Sequence, residues 1–219
     1  MRKLCLAFAA ALLCAGAATA SPNNPVDGAE FQTLRQPQPA PLVNDKVEVL
    51  EFFMYHCPAC NAVEPQLAAW VKNNSSRVNF RRIHFSSGND KDFEARLFAT
   101  LEALQLQDRL HDKVLETWHK EHRRLRSDAE NLEWAVRNGI DKDKFLAAYN
   151  SFGVQMRLKS LARIAAAYGV DGTPTLIVNG KWVTEPSMVQ AANRNLGRDE
   201  LMPATLEVLN QLVNRSHQP

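Results

Sequence analysis

Residues 47–55 read VEVLEFFMY. A strand with one wet face alternates apolar and polar residues. A nearly continuous apolar, β-favouring run instead belongs to a central strand covered on both faces. That requirement alone points to an α/β chain with helices packed about a sheet. Only two acids interrupt the run, Glu48 and Glu51.

The rest of the chain can be placed around that strand. EFQTL at 30–34 reads as a short first strand, and QPQPAP at 36–41 as an extended linker. A helix is expected from the cysteines at 57 and 60 to about Lys72, with Pro65 inside it as a kink. VNFRRIHF at 78–85 is a further strand. From about Lys91 to Tyr168 the texture is helical throughout, including QDRLHDKVLETWHKEH, with a capping-box start at SDAE and stops at NG and YG. Strand character returns in TPTLIVNGKWV, whose Asn179-Gly180 pair between two β-rich runs signals a hairpin. An amphipathic helix is expected from about Met202 to Val213. Strand–helix–strand at the start implies a parallel crossover, and the terminal hairpin adds antiparallel strands, so the sheet is mixed. The expected division is a sheet-forming part over 21–90, a helical insertion over 91–168, and a second sheet-forming part over 169–219.

Residues 1–20 stand apart. MRK is a short basic start, LCLAFAAALLCAGA an apolar stretch too short to span a bilayer comfortably, and Ala18 and Ala20 give a small-x-small cleavage pattern. They read as a cleavable signal peptide, followed at once by SPNNP. Cleavage removes Arg2 and Lys3 and takes the net charge from +2 to zero. A neutral chain gives no general attraction to nucleic acid or anionic lipid. The dense basic run HRRLR at 122–126 reads as a solvated face at helical spacing.

Cleavage also removes Cys5 and Cys14, leaving Cys57 and Cys60 in CPAC. A zinc site needs two more ligands. His56, His84, His111, His119 and His122 supply no finger-like spacing with the pair, and His119-x-x-His122 on a helix offers only a weak site. No metal is expected, and no cofactor. A structural disulfide across so short a span would constrain little of the unfolded chain. A redox pair fits better. Cys57 falls at a helix N-terminus, where unpaired N–H groups and the positive end of the dipole favour a thiolate. Pro58 suits the first helical turn, because its missing N–H has no partner there. Cys60 lies one turn on and less exposed, which makes it the resolving thiol. Gly172-Thr173-Pro174 precedes the second sheet-forming run, where an X-Pro bond at a strand start can be cis or trans.

VLEFFMYHCPACNAVEP, together with FGVQMRLKSLARIAAAYGVDGTPTLIVNGKW, resembles the DsbA family within the thioredoxin superfamily, over most of the chain beyond residue 20. The resemblance implies a thioredoxin fold with an inserted helical domain. It implies a periplasmic protein disulfide oxidoreductase that passes a disulfide to reduced, unfolded exported proteins. It also implies reoxidation by a DsbB-like, quinone-linked membrane oxidase, and a monomer. Thr173 and Pro174 match the cis-proline loop that holds substrate backbone beside the thiolate. Glu51, Glu64 and Arg82 match acids and a basic partner beneath the family's site. Glu64 also shares a helix face with Cys57 and Cys60, and its implied role is proton exchange with Cys60.

One departure bears on strength. The best-known family motif has histidine where this chain has Ala59. A lost charge-assisted hydrogen bond is worth about 1.5–3 kcal/mol, or about one to two pKa units. His56, just before Cys57, replaces it in part. The expected thiol pKa therefore lies above the about 3.5 that is the reference value for DsbA itself, with a weaker oxidant than its about −120 mV. Alternatives are a periplasmic reductase or isomerase on the same fold, or a peptide-binding chaperone with an incidental disulfide. Isomerases of this kind carry an N-terminal dimerisation domain, for which residues 21–46 are too few, and reductases keep a membrane anchor.

Overall fold

The computed structural model describes residues 21–40, 42–86, 88–89 and 91–217. The signal-peptide expectation, with Cys5 and Cys14, lies outside the described residues. Strand β1 (Gln32–Thr33) is followed by β2 (Val47–Phe53), helix α1 (Pro58–Asn73) and β3 (Val78–His84). Five helices come next: α2 (Phe93–Ala103), α3 (Gln107–His119), α4 (Asp128–Arg137), α5 (Lys142–Tyr149) and α6 (Phe152–Tyr168). Strands β4 (Thr175–Val178) and β5 (Trp182–Thr184) then lead to α7 (Pro186–Ala192) and α8 (Arg198–Ser216).

The sheet order is β1-β5-β4-β2-β3. β2 runs parallel to β3 and antiparallel to β4, so the apolar run is a central strand, as its composition requires. Its residues part to two cores. Val47 and Val49 meet Leu67 and Trp70 of α1 and Val208, Leu209 and Leu212 of α8. Leu50 and Phe52 join the core built largely from α2–α6, including Phe98, Trp134 and Phe145. Together the two cores leave the strand no wet face: Val47, Val49 and Phe52 are fully buried.

The hairpin between β4 and β5 turns on Asn179 (φ 52°) and Gly180 (φ 60°), both in the left-handed region that a two-residue primed turn needs. Glycine is also required sterically at 180, because a Cβ there would lie 2.2 Å from Gln38 O. The chain at 36–40 is thus no free linker. Gln38 N–H donates to Gly180 O at 2.8 Å, and Leu34 N–H to Lys181 O at 2.8 Å.

Several boundaries differ from expectation for physical reasons. α8 starts a turn before Met202, capped where Gly197 N–H donates to Glu200 Oε2 at 2.8 Å, and Pro203 sits inside it. The short α7 has no apolar periodicity long enough to be read, and only Val189 of it is buried. α3 stops at His119, whose Nε2 lies 2.8 Å from Tyr55 O. His122 lies beyond it at φ 54°, so His119 and His122 do not share a helix and HRRLR is not a helical face. Pro65 lies within a continuous α1.

The helical segment joins the sheet through rings. Phe53 packs edge-on against Phe98 of α2 at 5.6 Å and against His111 of α3 at 5.0 Å. Replacing Phe98 with alanine opens a cavity at this joint and should cost about 3–5 kcal/mol. Urea unfolding monitored by circular dichroism checks it, with a loss under about 1 kcal/mol showing that the joint is not tightly packed.

Candidate active site

β2 delivers the chain to the start of α1, and Cys57 is the N-cap of that helix, with extended backbone (φ −73°, ψ 116°). Its Sγ accepts a hydrogen bond from Cys60 N–H at 3.4 Å, the geometry by which a Ser or Asp side chain caps a helix. Pro58 occupies the first helical position. Cys57 is 9% exposed and Cys60 2%. Both are free thiols.

The two sulfurs are driven apart in acidity. Cys57 is pulled down to about 5, first by the hydrogen bond from the Cys60 thiol, with the Cys60 and Ala59 backbone N–H groups adding to it against burial. Cys60 is pushed far up, by donating that same bond and by burial. The stabilisation of the reduced fold by the Cys57 thiolate is complete above the usual thiol value of 9.0 and disappears as pH falls through about 5.

Thr173 and Pro174 close the other side. Their peptide bond is cis, and Thr173 O lies 3.5 Å from Cys57 Sγ. Thr173 Oγ1 is buried without a hydrogen-bond partner. Beside them a groove of about 420 Å³ runs over Ala59, Ala62, Val63, Pro174, Leu201 and Met202. A larger cavity of about 500 Å³ between β1 and the end of α6 touches neither cysteine, so size does not mark the site.

Beneath the cysteines lies a buried charge layer. Glu51 and Arg82 are register partners on β2 and β3. Arg82 Nε lies 3.2 Å from Glu51 Oε2, close enough to pair but misaligned for a hydrogen bond, which leaves that oxygen unpartnered. Arg82 also donates to Glu64 Oε1 from α1. Burial drives the Glu51 carboxyl up to about 8 against the pull of Arg82. The structure therefore brings together Glu51, Glu64 and Arg82, which the sequence singled out, and adds His111 of α3, whose Nε2 lies 3.3 Å from Glu64 Oε2. Burial lowers the His111 pKa. Glu64, His111 and Asp112 offer donor atoms within 4.8 Å of one another, but the Arg82 guanidinium already holds Glu64 and its charge opposes a cation there.

His56 is not hydrogen-bonded to the Cys57 thiol. Its Nδ1 lies 2.8 Å from Glu94 Oε1, and its backbone N–H donates to Glu94 Oε2 at 3.1 Å. The hydrogen bond to Glu94 raises the His56 pKa above 6.5. Burial alone would raise Glu94, yet the hydrogen bond to His56 and the nearby imidazole of His84 hold it down at about 2. Sequence reasoning missed Glu94 and His111. The available signal was position: Glu94 shares the face of Phe98 and Leu101 on α2, and His111 sits among Leu110, Val114, Leu115 and Trp118 on α3.

A thiol capping a helix, a second buried thiol one turn on and a cis-proline loop across from them are the features of a thioredoxin-like thiol:disulfide oxidoreductase. Residues 48–195 match the family model described as a DSBA-like thioredoxin domain. The thiol:disulfide interchange protein DsbA of Burkholderia cepacia is 34% identical over 203 residues, 93% of this chain and 91% of that protein. The crystal structure of Pseudomonas aeruginosa DsbA superposes with a TM-score of 0.73 at 30% identity, over 86% of this chain and 93% of that one. That of the oxidoreductase DsbA from Xylella fastidiosa gives 0.72 at 27% identity, over 88% and 97%. The chain belongs to the DsbA family.

Two outcomes follow from the site. Ala59→His adds a donor at the exposed helix start and should lower the Cys57 pKa by about one to two units. Titration of thiolate ultraviolet absorbance reads it, and an unchanged midpoint sinks the account of position 59. Glu51 binds a proton in the fold at pH values where the unfolded chain has released it. Stability of the oxidised protein, in which the thiols do not titrate, should therefore fall as pH rises from 4.5 towards 8. Glu51→Gln should flatten that fall in urea titrations run across the range.

Proposed function

We propose that this oxidoreductase works as a disulfide donor to reduced exported proteins in the periplasm. The observation that carries the reading is the split between the two thiols. A thiolate at Cys57 stabilises the reduced pair, so the oxidised pair gives its disulfide away. A substrate thiolate attacks Cys57 Sγ and Cys60 leaves. A second substrate thiol then attacks the mixed disulfide and releases Cys57 as the stabilised thiolate. The free Thr173 Oγ1 and the groove beside Pro174 support a role in holding extended substrate backbone. The buried cluster of Glu51, Glu64 and Arg82, with the Glu51 carboxyl poised near 8, supports a role in passing a proton to Cys60 as it leaves. The placement of α2–α6 between β3 and β4 supports a helical insertion over 91–168. No helix among the described residues is long and apolar enough to cross a membrane. Reoxidation falls to a DsbB-like membrane partner, and the working unit is a monomer. The Cys57 pKa of about 5, above the about 3.5 of DsbA itself, supports a milder oxidant.

Oxidation of a reduced, unfolded dithiol protein tests this. Cys57→Ser should be inactive, and Cys60→Ser should accumulate the mixed disulfide. A Cys57→Ser variant that retains full function would favour the chaperone reading. The potential against glutathione should lie well above the about −270 mV of thioredoxin, a value near which would make the protein a reductase. It should fall by about 30 mV per pH unit between pH 5 and 9, where two electrons carry one proton, and by about 59 mV per unit below pH 5, where they carry two.

A further inference from the structure

His56 and Glu94 are not explained by tuning of the cysteines. Glu94 is buried at 9% exposure, and its two oxygens lie 2.8 and 2.9 Å from His56 Nδ1, while the second also accepts the His56 backbone N–H. The imidazole is thus fixed from one side, with Nδ1 carrying the proton towards the carboxylate. Trp118 flanks the ring at 5.9 Å between centroids. The side chain is still 44% exposed, and among the described residues Nε2 has no hydrogen-bond partner. The result is a carboxylate–imidazole pair with its outer nitrogen free, on the residue that directly precedes Cys57.

We propose that His56 is a catalytic base of the exchange reaction and Glu94 its positioning residue: His56 Nε2 takes the proton of the incoming substrate thiol. The proposal rests on the disulfide-donor reading and adds the step that reading leaves open. An alkyl thiol with a pKa near 8.5 is mostly protonated at neutral pH and cannot attack until it is ionised. In the oxidised enzyme both cysteine sulfurs are tied in the disulfide. Glu51 and Glu64 are buried beneath the cysteines, 1% and 7% exposed.

The other groups around His56 do not serve. Lys91 and Arg126, which share a cavity of about 430 Å³ with it, are cations. Asp92 is spent on Ala95 N–H at 3.0 Å and Ser86 Oγ at 2.7 Å. His84 lies behind, buried, with Nε2 3.7 Å from Glu94 Oε2.

The step balances. The first substrate thiol gives its proton to His56 Nε2, and its sulfur forms a bond to Cys57 Sγ as the Cys57–Cys60 bond breaks. Cys60 leaves and becomes a thiol with a second proton, from the buried acids. The second substrate thiol gives its proton to water, from which the buried acids are refilled, and its sulfur forms the substrate disulfide as Cys57 is released as thiolate. The substrate is oxidised by two electrons, the pair is reduced, and one proton goes to solvent by way of His56. Glu94 raises the His56 pKa above 6.5, which makes the imidazole a stronger base.

The test is stopped-flow oxidation of two substrates by the full-length oxidised enzyme: an alkyl dithiol peptide, and an aromatic thiol already ionised at pH 6.5. His56→Gln should lower kcat/KM for the alkyl thiol at pH 7.5 by about tenfold or more, and the gap should close as pH passes about 8.5. For the aromatic thiol the loss should stay within about twofold, since it has no proton to give. Glu94→Gln should move the limb of the alkyl rate profile that reports His56 to lower pH. Equal losses on both thiols at every pH, or no loss on either, overturn the proposal and leave the donor reading standing. A wild-type enzyme that oxidises neither thiol removes the donor reading, and the proposal with it.

Discussion

The hydrogen bond from Cys60 N–H to Cys57 Sγ is where helix geometry and redox chemistry meet. The first turn of any helix leaves backbone N–H groups unpaired, and here the side chain that satisfies one of them is a thiol. The same turn of chain places the second thiol against the first and away from solvent. One local piece of backbone therefore creates an acidic sulfur and a reluctant one. It works only if the turn is held rigid, and the two-sided burial of β2 with the buried inner face of α1 does that.

The charge layer under the turn costs stability, since it leaves Glu51 short of a hydrogen bond in the middle of a sheet. The register that sets Glu51 opposite Arg82 limits the cost, and Glu64 shares the cation. His111 ties that layer to α3, so the helices between β3 and β4 brace the chemistry as well as cover the sheet.

Much of this was legible in the chain. The apolar run at 47–55 fixed the central strand, because no other position in a sheet tolerates it. Asn179-Gly180 announced its turn for a backbone reason that needs no partner. CPAC after a strand placed a thiol at a helix start. Features set by distant packing were not legible. Glu94 lies 38 positions from His56 and His111 lies 47 from Glu64, and no local pattern reports such a meeting. The orientation of His56 was misjudged for the same reason: its partner is on another helix. α7 was missed because a short helix with one buried residue leaves no period to read.

The tight seat of residues 36–40 against Gly180 has a consequence for what this molecule offers to other chains. An open strand edge pairs with any extended polypeptide, through backbone groups that carry no specificity. β5 would be such an edge. The two-residue β1 and the segment bonded to Gly180 and Lys181 occupy it. At the end of the sheet where β5 lies, an arriving chain finds the backbone partners of that strand already taken.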